Sequence, residues 1–249
     1  MVDKLKALVI GGTGSLGSAV CRILAENSFD IAFTYLKNTA KSSELARELS
    51  GKAEIFPFQL NLCDMESVRS VVKKAGEQLQ GIDSLIITSG IATGHYADSK
   101  PIVPQFSEIT GEGFDRMMNV NVKGVFFACQ TAAGIMARNN SGRIVITGSI
   151  DGVKSVPAPV DYACCKSALW GLTQSLSKEL CRQNLLVNMV APGILEGGMA
   201  KLLKEELLKE YIKHCSLKRV GSFSEVAKVI SFLAGPKNTY LTGQAIILD

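Results

Sequence analysis

Lys6–Gly17 reads KALVIGGTGSLG, an apolar run that meets a glycine cluster with no spacer and continues into SAVCRILAE. The first part has the β-branched and aliphatic content of a buried strand, and the last part has apolar residues at helical spacing. Between them, glycines allow a tight turn, close approach of backbone to a ligand, and close packing of helix on sheet. A glycine cluster counts as a phosphate loop only when it leaves a strand and opens a helix, and this one does both. The backbone around Gly11, Thr13, Gly14, Ser15, Leu16 and Gly17 is therefore expected to surround a pyrophosphate at the positive end of the first helix.

The same alternation runs through the whole chain. KALVIG, DIAFTY, AEIFPF, SLIITSG, GRIVITGS, LLVNMVAPG and QAIILD are short, continuous apolar runs, the pattern of parallel strands buried on both faces. Helical patterns separate them, among them one long helix through FDRMMNVNVKGVFFACQTAAGIMARN and another through YACCKSALWGLTQSLSKELCRQ. Asp64 with Ser67 gives a partial capping signal, and Ser224 before Glu225 an N-cap. Strand–helix alternation on this scale predicts right-handed crossovers and an α/β fold: a doubly wound seven-stranded parallel sheet with helices on both faces. With no linker or repeat, residues 1–249 are expected to form a single domain. Ala92 to Phe106 is the one long irregular stretch, and such loops usually carry function.

Composition narrows the class. Hydrophobic residues make up 47% of the 249 residues, enough for a large core. Apolar runs such as LLVNMVA are too short to span a bilayer, so no membrane association is expected. The net charge of +4 is spread out, with glutamates interleaved where lysine is densest, and no basic run or aromatic platform suggests nucleic acid. Seven cysteines lack metal-ligand spacing, and MVDKLKALVIGG has no secretory pattern, so reduced thiols in a cytoplasm are the expectation, with no metal.

A second motif carries chemistry. Tyr162 stands four residues before Lys166 in VDYACCKSALWGL, which puts both on one helix face. A free tyrosine has a pKa of about 10, and a neighbouring ammonium is expected to lower it toward the working range. Ser149, at the end of RIVITGS, can place a hydroxyl beside that phenol and hold a carbonyl oxygen.

With both motifs in place, the chain resembles the short-chain dehydrogenase/reductase family over nearly its whole length. The likeness runs through the glycine loop, TSG at Thr88 to Gly90, NVNVKG with Asn121, Ser149, Tyr162, Lys166, VNMVAPG and the ending YLTGQAIILD. The resemblance implies a Rossmann fold, a nicotinamide cofactor and a catalytic tetrad of Asn121, Ser149, Tyr162 and Lys166. In it Tyr162 exchanges a proton with the substrate oxygen, Ser149 hydrogen-bonds that oxygen, Lys166 holds the nicotinamide ribose and lowers the Tyr162 pKa, and Asn121 holds a water of a proton relay. It also implies cofactor contacts at Tyr35, Lys37, Asn61, Leu62, Ser89, Gly90, Pro192, Gly193 and Leu195.

Departures from the family pattern are Ile10 and Ser15 in the glycine loop, TSG for the usual NAG, Asn61 for an aspartate, and Gly197 for a threonine. The end of the second strand reads Thr34-Tyr35-Leu36-Lys37-Asn38. An acidic residue there would hold the ribose hydroxyls of NAD, whereas its absence beside Lys37 favours NADP, with NAD as the alternative.

ITGS, LTQSLSKEL and VNMVAPG look most like bacterial 3-oxoacyl-carrier-protein reductases of fatty-acid and polyketide synthesis. That implies NADPH-dependent reduction of a carrier-bound 3-oxoacyl thioester, with Arg138 and Arg182 near the carrier-docking positions. The alternatives are oxidation or reduction of a small alcohol, sugar or steroid, and a non-catalytic cofactor-binding partner subunit. A homotetramer or dimer is expected, because the helices carrying Phe126, Phe127, Ala132, Met136, Trp170 and Leu176 are apolar on more than one face.

Overall fold

In the computed structural model, residues 4–92, 105–154, 156, 158–197 and 205–249 are described. Seven strands form one sheet: β1 (Leu5–Ile10), β2 (Phe29–Tyr35), β3 (Ile55–Gln59), β4 (Ser84–Ile87), β5 (Gly142–Thr147), β6 (Leu185–Pro192) and β7 (Ala245–Leu248). Their order is β3-β2-β1-β4-β5-β6-β7, and every pairing is parallel. The order reverses between β1 and β4, so the crevice beyond their carboxyl ends is where this architecture binds ligands.

All seven expected strands are present because their side chains fill two cores. On one face Leu8, Ile10, Leu85, Ile87, Ile144 and Ile146 meet α3 (Met65–Gln78) and α5 (Gly124–Met136). On the other, Val9, Ile31, Phe33 and Val145 meet α1 (Ser15–Glu26) and α8 (Phe223–Ala234). Burying each such side chain contributes roughly 1.5–3 kcal/mol, and strands apolar on both sides can be stable only between two helix layers. The remaining helices are α2 (Thr39–Leu49), α4 (Gly111–Met118), α6 (Val160–Glu179) and α7 (Glu205–His214).

Asp64 caps α3 as its position suggests, accepting from the backbone N–H groups of Glu66 and Ser67. Two other local features differ from the sequence pattern. The cap of α8 is Ser222, not Ser224: its hydroxyl accepts from Glu225 N while the Glu225 carboxylate accepts from Ser222 N. The long helix is also not uniform. Asn119–Lys123 is a π-helical turn between α4 and α5, an insertion that recurs at functional sites and here carries Asn121. The run Gly111–Asn139 is long and apolar enough to cross a membrane by length and composition. Its apolar residues Val125, Ala128, Cys129, Ala132 and Met136 are instead consumed by the sheet core. Residues 93–104, most of the long loop after β4, lie outside the described residues.

Candidate active site

Three strand ends and two helices converge at the switch point. At the end of β1, Gly11 adopts φ +93, and any Cβ there would strike the Ser89 side chain. Gly17 is as constrained, since a Cβ would run into the Gly11 carbonyl oxygen. These two positions require glycine. Gly11 N donates to Thr34 Oγ1 at 3.0 Å and Gly14 N to Gly11 O at 3.0 Å, while Thr88 Oγ1 donates to Ile10 O at 2.9 Å. Thr88 of the TSG segment thus braces the loop from the neighbouring strand.

Of the departures in this loop, packing accounts for one. Ile10 is fully buried as the last core residue of β1. Ser15 is exposed and begins α1, whose N-cap Gly14 provides no side-chain hydrogen bond, and no acidic residue lies in the first turn. The first-turn N–H groups are left to an anion, and the helix dipole favours one. Thr13, Gly14 and Ser15 flank this position, while Leu16 turns inward to the core. The cradle fits a dinucleotide pyrophosphate.

Along the crevice, the end of β2 presents Tyr35, exposed Leu36 and exposed Lys37, with no carboxylate from Thr34 to Asn38. Asn38 is committed as the N-cap of α2, accepting from Lys41 N. Asn61 is exposed and accepts from Cys63 N at 3.0 Å, which shapes the turn after β3. The Leu62 side chain is buried in one core, and Leu195 is partly buried against the other. Gly193 follows Pro192 at the end of β6 and donates its N–H to Leu248 O at 2.8 Å. Gly197, where the family has threonine, sits at φ +80, a conformation costly for threonine.

The tetrad residues come together. Tyr162 and Lys166 lie in the first two turns of α6, with Lys166 Nζ 5.4 Å from the Tyr162 ring centroid. Ser149 ends the β5 segment beside them, and Asn121 arrives on the π turn. All four are buried. Lys166 Nζ donates to Thr147 O at 3.1 Å. Gly90 lets the β4 backbone approach closely, because a Cβ there would lie 2.9 Å from Asn121 Oδ1 and 3.7 Å from Lys166 Nζ.

The Asn121 side chain is tied to Ile91: Oδ1 accepts from Ile91 N at 2.8 Å and Nδ2 donates to Ile91 O at 2.9 Å. It anchors the strand-end loop. Burial pushes the Tyr162 pKa above its ordinary value, the Asp151 charge pushes it further, and the Ser149 hydrogen bond opposes. Burial brings Lys166 down to about 8.

Asp151 was not legible as a site residue. It lies two residues after Ser149 and takes the Ser149 hydroxyl hydrogen bond, Oγ to Oδ2, at 3.0 Å. The available signal was a carboxylate between two catalytic motifs in GSIDG. Arg138 and Arg182 are exposed on turns leading into the amino ends of β5 and β6, the sheet edge opposite the site. Neither lines the site of its own protomer.

Known proteins match this arrangement along its length. A family profile described as Enoyl-(Acyl carrier protein) reductase matches residues 11–249. Together with the fold and the clustered tetrad, this places the chain in the short-chain dehydrogenase/reductase family, a family of oxidoreductases that bind NAD(P). Its relatives include the 3-oxoacyl-[acyl-carrier-protein] reductase FabG of Staphylococcus aureus strain Mu50, 30% identical over 241 residues, 96% of this chain and 94% of that protein. FabG of Thermotoga maritima is 32% identical over 247 residues, covering 97% and 95%. Among solved structures, a Serratia marcescens short-chain dehydrogenase/reductase superposes with TM-score 0.88 at 27% identity, covering 98% of this chain and 96% of that one. A metagenomic blue fluorescent protein in complex with NADPH gives TM-score 0.87 at 30% identity, with the same coverage.

Proposed function

We propose that this protein reduces the ketone of a 3-oxoacyl thioester, carried on an acyl carrier protein, with NADPH as reductant. The observation that supports it most is the buried grouping of Ser149, Tyr162 and Lys166 beside the glycine cradle. Bound at the crevice, the nicotinamide supplies the hydride. The chain's own residues do the rest. Ser149 and Tyr162 hold the ketone oxygen, and Tyr162 donates the phenolic proton as negative charge develops there. Its raised pKa keeps that proton in place at neutral pH, which suits the reductive direction. Lys166 holds the nicotinamide ribose hydroxyls, oriented by the Thr147 carbonyl. Gly11, Thr13, Gly14, Ser15 and Gly17 would hold the pyrophosphate, and exposed Lys37 would pair with a 2′-phosphate.

Similarity to proteins named FabG supports the thioester, and the neighbour in complex with NADPH supports the cofactor. A carrier protein reaching Arg138 or Arg182 would do so through a partner copy, since both lie at the far sheet edge. We assign the chain to the cytoplasm on the same likeness.

Purified protein incubated with NADPH and acetoacetyl thioester should oxidise NADPH and yield the 3-hydroxyacyl product. Tyr162→Phe should lose a factor of about 100 to 10,000 in turnover with NADPH affinity nearly unchanged. A crotonyl thioester run in parallel tests enoyl reduction, the reaction named by the family description. Turnover of the crotonyl compound alone would replace this reading. A Tyr162→Phe variant with half the normal rate would remove the proton-donor role.

A further inference from the structure

Ser149 has one hydroxyl proton and several claimants. Its Oγ accepts from Asp151 N at 3.3 Å and donates to Asp151 Oδ2 at 3.0 Å. An ionised carboxylate can only accept. While Asp151 is ionised, the Ser149 proton is therefore held away from any carbonyl oxygen placed beside Tyr162. A protonated Asp151 can instead donate to Ser149 Oγ, and the serine proton is then free to turn toward the substrate.

We propose that Asp151 is a positioning residue whose proton sets the direction of the Ser149 hydroxyl, and so decides whether a substrate ketone receives that hydrogen bond. The proposal rests on the assignment of Ser149 to the ketone oxygen. It adds a residue through which pH acts on the reductive step, with no electron or group transfer of its own.

Burial raises the Asp151 pKa above the ordinary carboxylate value, opposed by the Ser149 hydrogen bond and the Lys166 charge. The ionisable groups facing it, among the described residues, are Tyr162 and Lys166 on α6 and Tyr211 on α7. Both tyrosines keep their protons at neutral pH, because burial raises both phenols. The next charged pair outward, Lys154 with Asp249 at 3.4 Å, neutralises itself.

Two measurements decide the matter. With saturating NADPH, kcat for acetoacetyl thioester should fall roughly tenfold as pH rises through the Asp151 titration, the scale of a lost charge-assisted hydrogen bond. Asp151→Asn, whose amide N–H donates to Ser149 permanently, should abolish that limb and keep the faster rate, with KM little changed. A variant that keeps the limb, or is uniformly slower at every pH, would overturn the proposal. The second measurement needs no turnover. Carbon-13 NMR of the aspartate carboxyls, with the Asp151 signal assigned by its loss in Asp151→Asn, should show its pKa rising further in Ser149→Ala. An unmoved titration would overturn the proposal even if the kinetics agreed. Absence of thioester turnover would count against the substrate reading, and the NMR titration would still judge the Ser149–Asp151 coupling.

Discussion

Asn121 closes a two-way bridge with the backbone of Ile91, accepting from its N–H at 2.8 Å and donating to its carbonyl at 2.9 Å. The bridge ties the π turn to the loop after β4, directly behind Lys166. Replacing Asn121 with Leu would leave both Ile91 groups without these partners. An orphaned buried polar group costs about 1–3 kcal/mol, so urea unfolding should show a loss of at least that size. Turnover should fall as well, because the loop carrying Ser89 and Gly90 loses its anchor. Unchanged stability would mean that the bridge is incidental.

Lys166 makes stability depend on pH in a definite direction. Its folded pKa is about 8, against an ordinary value of 10.5. Below pH 8 both states hold the proton and the folded state carries the full burial penalty. Above pH 8 the folded state releases the proton while the unfolded state keeps it, so stability rises with pH. Lys166→Met removes this titration. Between pH 8 and 10, wild-type stability relative to the variant should improve by on the order of 2 kcal/mol, read by denaturant unfolding. A constant difference would refute the depressed lysine.

Lys37 is exposed at the end of β2, with no carboxylate among its immediate neighbours in the chain. If it pairs with a 2′-phosphate, Lys37→Ala should weaken NADPH roughly tenfold and leave NADH nearly unchanged, the scale of one charge-assisted contact. Fluorescence titration with both cofactors checks this. A wild-type preference for NADH would sink the assignment.

We expect a homodimer or homotetramer built on α5 and α6. Phe126 is 43% exposed and packs edge-on against Phe127, with ring centroids 5.4 Å apart. Arg69 covers the Phe127 ring at 4.3 Å from its centroid. Phe126→Glu should shift the mass by light scattering toward smaller species at micromolar concentration, since a carboxylate is costly to bury in an apolar contact. A wild-type monomer would remove the expectation. Ala132 and Met136 form the opposite face of α5, buried in the protomer's own core.

The sequence by itself determined what local chemistry dictates. Continuous apolar runs marked all seven strands, because a parallel strand covered on both faces cannot alternate. The Gly11–Gly17 spacing marked the phosphate loop, because no side chain fits where Gly11 meets Ser89. The Tyr162–Lys166 interval marked the helix face, because a helix turn brings residues four apart together. The tertiary structure alone decided what depends on distant segments. Burial from several elements lowers the Lys166 pKa and raises that of Tyr162, which their four-residue spacing does not announce. The π turn and its grip on Ile91 depend on a strand end 30 residues away. Asp151 differs, because its contact with Ser149 is local, two residues on in the turn that Ser149 caps. What the fold adds is the burial and the placing of that turn beside Tyr162 and Lys166.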